Sequence, residues 1–128
     1  MKKLRPNWKI LFVILFLWIV ACVESSEWEG TWVEEDSAGE PVALLYFNPD
    51  GSFYASGLTC QYSDDGDGAY ILHCNGFKEH CARVARQGDR ITLECRSYRG
   101  SEPQSSARVI IRRVQETEAR RIRSELDP

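Results

Sequence analysis

The reactive groups of this chain are concentrated in its five cysteines, its two histidines and one run of aspartates. His73-Cys74 and His80-Cys81 place two imidazoles and two sulfurs within nine positions, a composition that suits zinc. Adjacent residues of a strand point to opposite faces, however, so neither His-Cys dipeptide easily chelates one ion. Asp64, Asp65 and Asp67 offer oxygens for calcium, yet the bidentate Glu and the spacing of an EF-hand loop are missing. The expectation is therefore no metal and no cofactor. There is also no Gly-x-Ser-x-Gly elbow, no His-Glu-x-x-His and no phosphate-cradling glycine loop, so no catalytic residue is assigned and no enzyme is expected.

Charge narrows the partners further. The four basic residues before Cys22 stand apart from every acidic residue, so from Cys22 onward 12 Lys/Arg face 19 Asp/Glu, a net of −7. Phosphate backbones repel such a chain, and nucleic acid is not expected as a partner. The imbalance is also uneven: Val23 to Glu79 carries a net of −11, and His80 onward a net of +4. Solvated loops and outward strand faces account for that pattern; an Arg-bearing face for an anionic partner is the alternative.

Lys2, Lys3, Arg5 and Lys9 precede a charge-free apolar run of 14 residues, Ile10 to Val23. As a helix it would span about 21 Å, short of the ~30 Å hydrocarbon core, whereas its length suits the apolar region of a signal peptide. The run contains Ile19-Val20-Ala21-Cys22, which resembles the lipobox of bacterial lipoproteins. That resemblance covers residues 1 to 22 and implies cleavage before Cys22, a diacylglyceryl group on its sulfur and an acylated new amino terminus. It implies export and a stable membrane anchor, because two or three acyl chains exceed the marginal grip of one. Val23, not Asp, follows the cysteine. In a Gram-negative cell this implies the periplasmic face of the outer membrane.

The domain that must hold the remaining cysteines reads as all-β. Short β-branched or aromatic runs alternate with Gly, Asp, Asn and Pro clusters, which predicts strands near Gly30 to Glu34, Val42 to Phe47, Ser52 to Tyr62, Ala69 to Cys74, Cys81 to Arg86, Ile91 to Ser97 and Ala107 to Val114. Asn48-Pro49-Asp50-Gly51 is the clearest hairpin turn, Ser101 to Ser106 a longer loop. Gln115 to Leu126 has strong helix formers and a thin apolar stripe of Val114, Ala119, Ile122 and Leu126, predicting a short helix that docks on the barrel end or frays. The expected organisation is a signal peptide over 1–21, lipidated cysteine and tether over 22–27, β-domain over 28–114 and helical tail over 115–128.

With Cys22 assigned to lipid, Cys60, Cys74, Cys81 and Cys95 form an even set, and in a small exported chain that reads as two disulfides. A hairpin centred on Asp67 sets Cys60 opposite Cys74 and Tyr62 opposite Leu72, with the apolar residues on one face. A hairpin centred on Gly88 sets Cys81 opposite Cys95 but puts Arg83 on the face of Ile91 and Leu93, so either a bulge intervenes or the register is wrong. Cys60–Cys74 with Cys81–Cys95 is favoured over Cys74–Cys81 with Cys60–Cys95.

Gly30, Trp32, Phe47, Asp50, Gly51 and Phe53 together resemble the opening of small lipocalin-like domains, in which Gly-x-Trp begins the first strand and Trp plugs one barrel end. The resemblance implies a small antiparallel meander barrel or flattened barrel of about seven strands, and a ligand pocket lined by Trp32, Phe47, Phe53, Tyr54 and Tyr70. The functional expectation is a membrane-anchored, noncatalytic binding module for a hydrophobic ligand or an envelope protein. The alternative is a structural lipoprotein, or an inhibitor of an envelope-targeting hydrolase.

Overall fold

A computed structural model describes residues 26–127; the expected signal peptide over 1–21 and the expected lipidated Cys22 lie outside them. Eight strands follow in chain order: β1 (Gly30–Glu35), β2 (Pro41–Phe47), β3 (Ser52–Ala55), β4 (Leu58–Gly66), β5 (Ala69–Cys74), β6 (Phe77–Gln87), β7 (Arg90–Arg99) and β8 (Glu102–Arg113). Each pairs antiparallel with the next, and β8 returns to β1 from Trp32↔Arg113 to Glu35↔Ile110, closing a meander barrel. A helix, α1 (Glu116–Leu126), ends the described chain.

The eighth strand comes from a split. Ser52 to Tyr62, expected as one strand, is broken by a two-residue turn in which Ser56 and Gly57 take φ of 47° and 83°. Two consecutive positive φ values match the right-handed twist of a tight hairpin, and Gly57 supplies the costlier one without strain. The loop expected over Ser101 to Ser106 is absent too. Gly100 and Ser101 make the turn, and β8 already pairs with β7 from Arg99↔Glu102. Pro103 fits there because this part of β8 has β7 on one side only, so its missing N–H costs no ladder bond.

Both favoured disulfides are present, Cys60–Cys74 and Cys81–Cys95. Each closes a loop of ~15 residues and contributes about 3 kcal/mol in the chain-entropy picture. Tyr62↔Leu72 and Cys81↔Cys95 confirm the two registers. The conflict at Arg83 is resolved near the barrel end. Arg83 stays opposite Leu93, a bulge follows at exposed Val84, and the guanidinium lies against Gly68 and 3.8 Å from Glu27.

Inward positions build the core. Trp28 closes the end where the chain enters, its indole N–H donating to the Ala69 carbonyl at 3.2 Å, and the Trp32 indole donates to the Trp28 carbonyl at 2.8 Å. Behind them Phe47 meets Phe53, Tyr62 and Tyr70 edge-on at 4.9 to 5.1 Å between ring centroids. Leu45, Leu72, Ile91, Leu93, Ile111 and the disulfides complete this cluster.

The helix does not dock on the barrel end. It lies along the outer face of β1 and β2, where Val114, Ala119 and Ile122 bury Val33 and Leu44. Salt bridges fix its angle: Arg112 reaches Glu118 at 2.9 Å and buried Glu35 at 3.4 Å, while Arg90 reaches Glu35 at 2.9 Å.

Candidate binding groove

The helix sits outside because β2 is apolar on both faces. In Pro41-Val42-Ala43-Leu44-Leu45-Tyr46-Phe47, period-2 alternation sends Ala43, Leu45 and Phe47 inward and Val42, Leu44 and Tyr46 outward. Helix α1 covers Leu44 fully but stops short of Val42, which stays 49% exposed. Tyr54 of β3, opposite Tyr46, also points outward at 45% exposed, 6.1 Å from the Tyr46 ring.

The end of α1 forms the opposite wall. Arg123 lies over the Tyr46 ring at 5.4 Å from its centroid and donates to the Tyr46 hydroxyl, and that hydrogen bond holds the guanidinium above the usual arginine range. Leu126 follows at 40% exposed. Together Val42, Leu44, Tyr46, Tyr54 and Leu126 give an apolar floor and wall, with Asn48, Ser56, Gly57, Arg123 and Asp127 at the rim of a groove of about 830 Å³. Three of the exposed large hydrophobic residues of the described chain therefore meet in one place.

A backbone feature runs along the same groove. β2 pairs with β1 from Gly30↔Phe47 to Glu35↔Pro41, skipping Val42 at an irregularity, but with β3 only at Tyr46↔Tyr54 and Phe47↔Phe53. On the β3 side, Pro41 to Leu45 has no strand partner among the described residues, which leaves a strand edge beside an apolar trough.

The aromatic set expected to line an internal pocket is divided by the barrel wall. Trp32, Phe47, Phe53 and Tyr70 are all buried in the packed core, whereas Tyr54 belongs to the outer groove. Phe53 and Tyr54 are neighbours on one strand and cannot share a face. Burial also pushes the Tyr70 phenol well above its usual range.

Comparison with protein-family models, curated proteins and solved structures finds no significant match to this chain.

Elsewhere, the other expected reactive groups are dispersed. His73 and His80 sit on the outer surface of β5 and β6, and His80 pairs with Asp65 at 3.2 Å. Cys81 and Cys95 come near Glu79, but their sulfurs are joined to each other and present no thiolate. Glu34 and Glu79 point into the barrel, where burial pushes both carboxyls up and their mutual repulsion pushes Glu79 further. The groove residues of β2 and α1 were missed in the sequence reading. Their signal was present in the unbroken apolar run Val42 to Phe47, which a one-sided barrel strand does not need.

Proposed function

We propose that this chain is an exported lipoprotein, anchored through Cys22, whose small barrel is a noncatalytic module binding an extended segment of an envelope protein along β2. The observation that carries the reading is the location of the apolar surface. Aromatic side chains fill the inside, and three exposed large hydrophobic residues gather outside, beside a strand edge with no partner among the described residues. An extended polypeptide satisfies both features at once: its backbone supplies ladder hydrogen bonds to the edge, and its alternate side chains enter the trough. A compact hydrophobic ligand would use the trough and leave the edge unpaired. The lipobox resemblance and the two disulfides support export and anchoring.

Site-specific photocrosslinking in the native envelope tests this. A photoreactive residue in place of Val42 or Tyr54 should give one discrete protein adduct, mapping to a short contiguous stretch of the partner. The same probe at Arg108, on β8 and outside the groove, should give none. Capture of the same adduct at Arg108, or of no protein at either groove position, would overturn the reading.

A further inference from the structure

A second and smaller cleft, of about 340 Å³, lies on the side of the barrel away from the groove, lined by Ile71, Lys78, His80, Tyr98, Gly100 and Ser101. Register arranges its surroundings in two rows across β5, β6 and β7. His73, Lys78 and Tyr98 stand side by side in one, and Ile71, His80 and Arg96 in the next. Glu79, between Lys78 and His80, turns inward and takes its charge off this face. Two anions border it: Asp65 pairs with Nε2 of the lining His80, leaving Nδ1 to the cleft, and Glu94 pairs with Arg96 beside it, each at 3.2 Å. Among the described residues, Lys78 has no carboxylate within ion-pair distance. In a chain of net −7 beyond its leader, a cationic and aromatic cleft is a local exception.

We propose that this cleft binds an anionic sugar unit, a uronate-like residue of an envelope polysaccharide. Tyr98 and Ile71 offer apolar surface to the C–H face of a sugar ring, the Lys78 ammonium meets its carboxylate, and the Ser101 hydroxyl and His80 imidazole bond ring hydroxyls. The volume is at the low end of the ~300–1,000 Å³ usual for ligand sites, which fits one or two rings and not a folded partner. Long-range repulsion from the acidic remainder keeps the affinity modest and makes it rest on these local contacts. The β7–β8 turn beside the cleft is at the end of the barrel opposite Ser26, so lipid headgroups lie out of reach; that orientation alone rests on the anchor reading.

Calorimetric titration of the full chain in neutral detergent with alginate hexasaccharide, a pure oligouronate, reads the proposal directly. Saturable binding at low salt is expected, with no binding of neutral maltohexaose. Lys78→Gln and Tyr98→Val should each weaken it at least fivefold, and Arg108→Gln, a cation outside the cleft, less than twofold. No binding of the oligouronate, equal binding of maltohexaose, or an equal loss in Arg108→Gln would overturn it. Binding of sn-glycerol 1-phosphate as tight as that of the uronate would assign the cleft to phosphate and overturn it too. None of these results depends on Cys22 or on the β2 groove, so failure here leaves the proposed function standing.

Discussion

Glu34 and Glu79 are the residues the barrel treats least kindly. Both face inward by register, Glu34 two positions beyond Trp32 and Glu79 two before Cys81, and among the described residues neither has a basic partner within ion-pair distance. Desolvation raises both from the ordinary glutamate value of 4.5. An acid whose folded value is raised favours folding below its unfolded value, and that contribution is lost as pH rises through the folded one. The fold should therefore carry a penalty at pH 7 that fades toward pH 4.5. Each side chain is only partly buried, so screening keeps the penalty under about 1 kcal/mol per residue. Glu34→Gln and Glu79→Gln should raise Tm at pH 7 by up to a few degrees and leave it unchanged near pH 4. Thermal unfolding across that range checks the sign, and a lower Tm for both variants at pH 7 would refute the account.

At the scale of elements, the outer face of β2 decides whether α1 is a frayed tail or part of the fold. Ile122 is completely buried between α1 and the pair Val33 and Leu44, so Ile122→Ala removes a packed side chain at about 2–4 kcal/mol. For a domain of this size Tm should fall by roughly 10–20 °C. A fall of under about 3 °C by circular dichroism would mean the helix contributes little and the groove lacks a fixed wall. Much of this architecture was legible beforehand. Alternation and turn residues gave the strands, and one assumption about Asp67 gave both a register and a disulfide. What escaped depended on contacts between distant segments. The Ser56-Gly57 turn carries a weaker signal than Asn48-Pro49-Asp50-Gly51, and Ser101 to Ser106 is loop-like in composition but is held as strand by pairing with β7. The groove escaped for the same reason: it joins β2 to a helix about 80 positions later, and the short β2–β3 ladder is visible only once the barrel closes.

The whole molecule has two unlike ends, and the chain enters at one of them. Arg113 fixes the entry, donating to the Glu29 and Glu27 carbonyls at 2.7 and 2.6 Å while lying 4.4 Å over the Trp32 ring. The Ser26 hydroxyl adds a bond to Asp64 at 3.0 Å. Only Val23 to Ser25 then separate Ser26 from Cys22, at most about 14 Å of extended chain. The β2–β3, β4–β5 and β6–β7 turns share this end and bring Asp50, Asp64, Asp65, Asp67 and Asp89 to it. Arg83, Arg86, Arg90 and Arg113 lie there as well, and a lipid on Cys22 would hold this end close to the bilayer and aim the β7–β8 ribbon away from it. Two measurements separate anchor from orientation. Cys22→Ser should accumulate as full-length precursor that takes up no radioactive palmitate, and normal labelling would remove the anchor altogether. In the labelled wild type, a photoreactive residue at Asp67 should capture phospholipid and one at Ser101 should not. Equal capture at both would leave the anchor intact but lay the barrel flat, bringing the cleft beside Tyr98 within reach of headgroups.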